Sequence, residues 1–172
     1  MNLEKWAEYG WLKPEATSRD EIRSLLTIVE RDLKDANVAG LSEDRRFEAA
    51  FSAARTSANI ALRASGYRTA VQAGHHLKTI ESLELTIKAD AKLIQRMKTL
   101  SKKRNATSYD SAGNVSNQEL DLALKTAVEL RREVMAWLQT NHPDLLRKLT
   151  VLLPLRGHQG WSTLARRVTK FC

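Results

Sequence analysis

Cysteine, proline and glycine are scarce in this sequence of 172 residues, with one, three and seven copies. The single cysteine is the last residue, Cys172, which excludes an intramolecular disulfide framework, a cysteine metal cluster and a CxxC redox motif. No apolar run reaches the ~18 residues of a membrane span, and the opening MNLEKWAEYG lacks the apolar core of a signal peptide. We therefore expect a cytoplasmic protein without a transmembrane segment.

Acidic residues are also fewer than basic ones. The sequence has 20 Asp and Glu residues and 28 Lys and Arg residues, so its net charge is +8. Such a surplus favours polyanionic partners, and nucleic acid, an anionic membrane and an acidic protein all fit it. Hydrophobic residues make up 42% of the sequence, which is too many for intrinsic disorder and enough for a buried core. The composition indicates one folded basic domain with short appendages.

Helix signals dominate the sequence between Pro14 and Pro143. Ser18 with Glu21, and Ser116 with Glu119, match the capping box, in which a hydroxyl and a carboxylate bind the backbone N–H groups of a helix start. Gly66 is a typical helix stop. We predict helices over 18–36, 42–66 and 74–87, a fourth that ends near Arg104, a polar loop over 107–114, and a fifth helix from Ser116 that stops before Pro143.

Apolar residues recur at helical spacing in each of these segments, and no segment alternates with period two. The pattern predicts an all-α, up-and-down bundle of four to five helices over 18–146, with an N-terminal arm over 1–17. The predicted inward residues are Ile22, Leu25, Leu26, Val29, Leu33, Ala36; Phe47, Phe51, Ala54, Ala58, Ala61; Leu77, Ile80, Leu83, Ile87; Leu93, Met97, Leu100; Leu120, Leu124, Ala127, Leu130, Val134 and Leu138.

The two ends of the sequence differ from the bundle. Residues 147–172 form a short basic amphipathic extension in which Trp161, Leu164, Val168 and Phe171 recur at helical spacing. This extension docks on the bundle or across a dimer, or it binds RNA, a membrane or another protein. The aromatic residues of the arm (1–17) either pack on the bundle as a short helix or cover a partner surface.

Polar residues cluster where the predicted helices would meet. Short connections make neighbouring helices antiparallel, so the ends of the second and fourth helices and the starts of the third and fifth share one pole. We expect that pole to collect Tyr67, Arg68, His75, His76, Lys102, Lys103, Arg104, Asn105 and Tyr109.

Arg104 is the most informative residue of this set. It lies seven residues after Met97, so it continues the inward stripe, where a cation needs a partner or a cleft. Arg104 therefore either caps helix carbonyls and pairs with an acid such as Asp110, or belongs to a site. His75 and His76 are adjacent and have no further ligand at i+4, so we expect no metal and no other cofactor.

The segments 46–68, 74–83, 102–110 and 141–146 resemble HEPN proteins, which are small all-α bundles of prokaryotic toxin–antitoxin, CRISPR-associated and phage-defence systems. The HEPN motif is an Arg, a polar residue, four to six residues and a His, and its first two positions match Arg104 and Asn105. The resemblance implies a homodimer with facing motifs and metal-independent endoribonuclease activity. It also implies a cognate nucleotidyltransferase antitoxin that modifies a motif Tyr.

The sequence departs from this motif at Tyr109, which stands where the motif has His. Because the pKa of Tyr is about 10, it is a far weaker base than His near neutral pH. Enzyme activity therefore stays open: His75 or His76 takes over proton transfer next to Arg104, or the pole binds RNA or nucleotide without cleaving it, or it only forms the dimer.

Two functions remain after these observations. The first is a HEPN-like defence component that binds RNA and is a working or degenerate nuclease. The second is a non-catalytic dimeric module that regulates an adjacently encoded partner protein. Binding that falls steeply with salt would favour the first function. Its predicted RNA-binding residues are Lys98, Lys102, Lys103, Arg68 and Tyr67.

Overall fold

The chain folds as an α-helical bundle in the computed structural model, which describes residues 2–70, 75–109 and 115–146. Two short strands, β1 Leu12–Pro14 and β2 Tyr67–Thr69, pair antiparallel with Leu12 opposite Thr69. The all-α prediction is confirmed, and the structure adds this small ribbon. The helices are α1 Leu3–Glu8, α2 Arg19–Ala36, α3 Glu43–Ala64, α4 His75–Glu81, α5 Leu83–Thr86, α6 Ala91–Tyr109, α7 Asn117–Asn141 and α8 Pro143–Leu146. The predicted C-terminal extension, 147–172, lies outside the described residues.

The core lies between α2, α3 and α7, with α6 closing one side. α3 is the central helix, and all five of its predicted inward residues are buried. Because three of these are alanines, neighbouring helices approach α3 closely. On α7 five of the six predicted inward residues are buried and Leu124 is half-buried. On α2 the stripe is buried at Ile22, Val29 and Ala36 and half-buried at its other three positions.

Serine caps open the three long helices of the core. Ser18, Ser42 and Ser116 each accept a hydrogen bond from the backbone N–H three residues later. At Ser116 the predicted capping box is complete, because the Glu119 carboxylate also binds the Ser116 N–H. At Ser18 the hydroxyl caps as predicted, whereas the Glu21 side chain turns to other partners. Gly66 ends α3 with a φ of +86°, which confirms the predicted stop.

The direction of the helices alternates except at one connection. α2 and α3 are antiparallel, and Arg46 Nε donates to the Ala36 carbonyl across their turn at 2.9 Å. α3 and α7 begin side by side, because the Val115 N–H donates to Asp44 Oδ1 at 3.0 Å. The two helices therefore run parallel. The alternation is interrupted where β2 carries the chain back along α3 before α4 begins.

The segment predicted as one helix over 74–87 consists of two short helices. Ser82 separates α4 from α5, and its hydroxyl donates to the Thr79 carbonyl at 2.8 Å, an internal bond that disturbs a regular helix. Ile80 and Leu83 are buried as predicted. The prediction for Leu77 was wrong: this side chain is 41% exposed, since α4 turns its other face towards α3.

α6 extends beyond its predicted end. The helix continues to Tyr109, so Arg104 lies inside the helix rather than at its end, and 107–109 are helical rather than loop. Intrinsic propensity predicted the earlier stop because Asn, Thr and Ser disfavour helix interiors, but these differences are below about 1 kcal/mol per residue and do not by themselves decide where a helix ends. The rest of the predicted loop, 110–114, lies outside the described residues.

The N-terminal arm builds a second, smaller core beside α3. Trp6 and Leu12 are buried against Leu62 at the end of α3, which confirms a packed helix in the arm. Trp11 contacts Trp6 edge-on, with ring centroids 5.6 Å apart. Through the pairing of β1 with β2, this small core holds the segment that follows α3.

Candidate functional site

A groove of about 410 Å³ runs along the face of α3 that does not enter the main core. α3 forms one wall, and β2 with α4 forms the opposite wall. Three of its lining residues are arginines and two more are histidine and asparagine, so its chemistry suits an anion. We call it the arginine groove, which is lined by Arg55, Thr56, Asn59, Arg63, Arg68, Thr69, His76 and Thr79.

The α3 wall follows from helix geometry. Arg55, Asn59 and Arg63 are four residues apart, so their side chains stand in one row along the helix. The row spans about 12 Å between Arg55 and Arg63. All three side chains are half-buried. The row therefore places one arginine at each of its two ends, Arg55 and Arg63.

One end of the arginine groove is neutralised, and we call it the closed end: Arg63, Arg68, Glu15 and Glu21. Glu21 Oε1 pairs with both guanidinium groups, at 2.7 Å from Arg68 Nη2. Glu15 Oε1 lies 2.7 Å from Arg68 Nε. The second oxygen of Glu21 accepts from the hydroxyl of Thr17 at 2.7 Å. Two carboxylates thus pair with two arginines at this end. Burial, followed by the like charge of Arg68, still lowers the pKa of Arg63, so the ion pairs and not the pKa distinguish this end.

The other end is different, and we call it the open end: Arg55 and Arg104. The Arg55 guanidinium makes no hydrogen bond or ion pair with any residue that the structure describes. Burial, followed by the like charge of Arg104, lowers the pKa of Arg55 below its usual range, and Asp32 only partly opposes this. Because arginine stays protonated in proteins, the lowered pKa reports an unfavourable electrostatic environment. A bound anion would relieve it.

The α4 wall of the groove is held by a lysine clamp, which consists of Lys78, Trp6, Trp11 and Glu81. Lys78 Nζ lies 3.8 Å from the Trp11 ring centroid and 4.9 Å from that of Trp6. It also lies 3.0 Å from Glu81 Oε2. Since His76 and Thr79 flank Lys78 on α4, the clamp places these two groove residues.

Glu81 joins α4 to α6. Its other oxygen, Oε1, lies 2.8 Å from Lys98 Nζ. Burial alone would raise the pKa of Glu81, but hydrogen bonds from Lys98 and Lys78 outweigh burial and hold that pKa below its usual value. The predicted RNA-binding residue Lys98 is thus engaged inside the protein.

The structure brings part of the predicted pole together and separates the rest. Arg68 and His76 line the arginine groove, and Arg104 lies near it beside Arg55. The meeting of all four helix ends at one pole was wrong, because the end of α6 approaches the start of α3 instead. Lys103 Nζ lies 2.8 Å from Glu119 in the first turn of α7, which begins beside the first turn of α3.

Three further predicted residues, Tyr67, Lys102 and Asn105, are not among the described residues that line the groove. Tyr67 is half-buried against the small N-terminal core, and Lys102 and Asn105 are exposed on α6. Tyr109 and His75 lie in described helices, but their side chains lie outside the described part of the chain.

Sequence reasoning missed Arg55, Asn59 and Arg63. A signal was available, because these residues repeat every four positions on the strongest predicted helix. The alanine stripe on the opposite face of this helix is a packing signal, and Glu21, the acidic partner that distinguishes Arg63 from Arg55, comes from a distant segment.

Two further findings concern the described residues as a whole. No described helix has both the length and the apolar character needed to cross a membrane. Within the same ranges, no three His, Cys, Asp or Glu side chains lie close enough together to hold a metal ion.

Comparison with protein-family models, with curated proteins and with solved structures finds no match to this chain. The site geometry and the charge distribution are therefore the grounds on which a function is argued.

Proposed function

We propose that this chain binds RNA or nucleotides through the arginine groove, as a HEPN-like component of a prokaryotic toxin–antitoxin or phage-defence system. The proposal rests on Arg55, whose half-buried guanidinium has no ion pair with a described residue. Protein arginines in that position bind phosphate well, because their planar N–H groups match phosphate oxygens in pairs. The net charge of +8 supports a polyanionic ligand.

The neighbourhood of Arg55 supports the same ligand class. Arg104 adds positive charge from α6, and Thr56 and Asn59 add side chains that hydrogen-bond to phosphate and sugar oxygens. No Phe, Tyr or Trp is among the described residues that line the groove, so contact with the backbone of an RNA fits better than stacking of its bases. We therefore expect weak dependence on base sequence.

Binding of a short, internally labelled RNA, measured by fluorescence anisotropy over a range of salt concentrations, tests this proposal. Affinity should fall steeply with salt. Arg55→Ala should weaken binding about 10-fold and reduce the salt slope by about 1. The matched control is Arg45→Ala, which removes the same charge from an exposed position on α3. Equal losses in the two variants, or binding that does not depend on salt, would count against the groove.

Cleavage of RNA is a second candidate because His76 and Arg55 line one groove and Arg104 lies beside Arg55. Histidine transfers protons near neutral pH, and a guanidinium stabilises the charge of the phosphorane. A purified sample with chelator should then cut RNA, and His76→Gln and Arg104→Gln should each lose cleavage but retain RNA binding. RNA that stays intact with the wild-type protein removes this candidate and leaves the binding proposal standing.

A homodimer and a cognate nucleotidyltransferase antitoxin belong to the HEPN part of the proposal. The alternative is a dimeric interaction module that regulates a partner protein. Co-expression with the neighbouring genes, followed by size-exclusion chromatography in low and high salt, separates the two. A complex with protein that persists in high salt, together with no binding of RNA, would favour the alternative.

A further inference from the structure

The arginine groove is asymmetric in charge along its length. At the open end Arg55 has no counter-ion in the described structure and feels the charge of Arg104. At the closed end, about 12 Å further along α3, Arg63 and Arg68 already bind Glu15 and Glu21. An anion in the groove therefore meets an arginine without an ion pair at one end and arginines already paired with carboxylates at the other.

This asymmetry bears on how an RNA strand could lie in the groove. A strand carries a negative phosphate at every nucleotide, so a strand that ran through the groove would place a phosphate beside Glu15 and Glu21. The guanidinium groups of Arg63 and Arg68 are already paired with these carboxylates, so a phosphate there would meet no unpaired positive charge among the described residues. The closed end consequently disfavours passage of a strand.

The size of the groove agrees with a ligand that stops inside it. Its volume of about 410 Å³ falls in the range of small-molecule sites. A nucleotide fits this space better than a length of polynucleotide. The Arg55 guanidinium can orient its donors around one phosphate, because none of its N–H groups is bonded to another described residue.

We propose that the arginine groove recognises the terminal phosphate of an RNA strand, with Arg55 as its main ligand and the closed end as the stop. This inference rests on the proposed binding of RNA or nucleotides and narrows it to a phosphate monoester. A monoester carries a charge of about −1.5 to −2 near neutral pH, whereas each internal phosphodiester carries a single charge. It also presents three free oxygens to the guanidinium.

The ends of the strand supply the test. One short RNA, labelled internally, is made with a 5′-phosphate, with a 3′-phosphate and with hydroxyls at both ends, and the three affinities are compared by anisotropy. We expect one phosphorylated form to bind about 10-fold more tightly than the hydroxyl form, and its identity reports which terminus is read. Equal affinity of all three forms overturns the inference while leaving RNA binding intact. Failure of all three to bind overturns both proposals.

Two variants assign the preference to the two ends of the groove. Arg55→Gln should abolish the preference for the phosphorylated form, while the control Arg45→Gln should keep it. Glu21→Gln should reduce the preference by raising the affinity of the hydroxyl form, because it removes negative charge from the closed end.

Folding of each variant is checked by circular dichroism and urea unfolding, so that a loss of binding is not a loss of structure. A phosphate preference that survives in well-folded Arg55→Gln would overturn the assignment of the ligand. A preference unchanged in folded Glu21→Gln would overturn the closed end as the stop.

Discussion

The two ends of the arginine groove differ in how their lining arginines are paired, with Arg63 and Arg68 at the closed end and Arg55, beside Arg104, at the open end. At the closed end Glu15 and Glu21 bind both guanidinium groups. At the open end Arg55 has no ion pair with a described residue, and Asp32 offsets its charge only in part. Two sites with the same residue type are therefore expected to serve different purposes.

The difference teaches how to distinguish structural from functional arginines. A paired arginine at the closed end joins α2, α3 and β2, so it contributes to folding. An unpaired, half-buried arginine costs stability, because burial without a counter-charge is unfavourable. Proteins commonly retain such a cost where a ligand supplies the missing charge. Whether an arginine has a counter-ion therefore says more about its role than the number of arginines in the groove does.

The largest effect is expected from breaking the closed end. Glu21→Gln removes the carboxylate that binds both Arg63 and Arg68 and leaves two guanidinium groups short of a counter-charge. We expect the free energy of unfolding to fall by about 2 kcal/mol, measured by urea denaturation. The matched control is Glu84→Gln, an exposed change of the same charge on α5, which should change it by less than about 0.5 kcal/mol. A stable Glu21→Gln would show that the closed end does not support the fold.

The lysine clamp provides an intermediate case, because the charge of Lys78 is balanced by two aromatic rings and by Glu81. Lys78→Met should lower the free energy of unfolding by about 1 kcal/mol, since a partly buried cation–π contact is worth about that much. Lys78→Arg should restore most of the loss. Tryptophan fluorescence during unfolding gives the measurement, and equal stability of all three proteins would exclude a role for the clamp.

The Lys103–Glu119 pair, which joins α6 to the first turn of α7, allows a pH test of a paired carboxylate. A hydrogen bond from Lys103, followed by the Ser116 N–H, lowers the pKa of Glu119 from 4.5 to about 2. A carboxyl whose pKa is lowered on folding stabilises the fold above its unfolded pKa, and this stabilisation is lost as the pH falls towards 2. Because Glu119 is partly exposed, we expect a contribution of no more than about 1 kcal/mol.

Glu119→Gln should therefore be less stable than the wild type at pH values above 4.5, and the difference should disappear towards pH 2. Urea midpoints across this interval measure it. A difference that stays constant with pH would mean that the charge of Glu119 is not its source.

The smallest change in the free energy of unfolding is expected at the open end. Arg55→Met removes a half-buried charge without breaking any ion pair in the described structure, so we expect a gain of about 0.5 kcal/mol in the free energy of unfolding. Arg63→Met, at the closed end, should instead lose stability because it breaks the pair with Glu21. A loss in both variants would erase the distinction between the two ends.

Much of the fold could be predicted because its signals are local. Ser18, Ser42 and Ser116 cap the helices that their positions predict, and the apolar stripes of α3 and α7 face the core. Two predictions failed: α6 continues past Arg104, and Leu77 is exposed. Helical spacing identifies a stripe, but it does not say which side of a short helix meets a neighbour.

The site was less predictable because it depends on the directions of whole helices. Alternating directions placed Tyr67 and the end of α6 at one pole, whereas β2 returns the chain along α3 and makes α7 parallel to α3. His76 consequently faces the row of Arg55 and Asn59 rather than the end of the bundle. No local pattern encodes that return.

By itself the sequence determined the basic charge, the helical content and the residues that fill the core. Each of these follows from composition or from side chains a few positions apart. Only the tertiary structure decided that Glu15 and Glu21 neutralise one end of the arginine groove and leave Arg55 at the other. The electrostatic potential at a side chain is a sum over charges that are close in space. Arg63 and Glu21 contribute to one such sum although they are 42 positions apart in the chain.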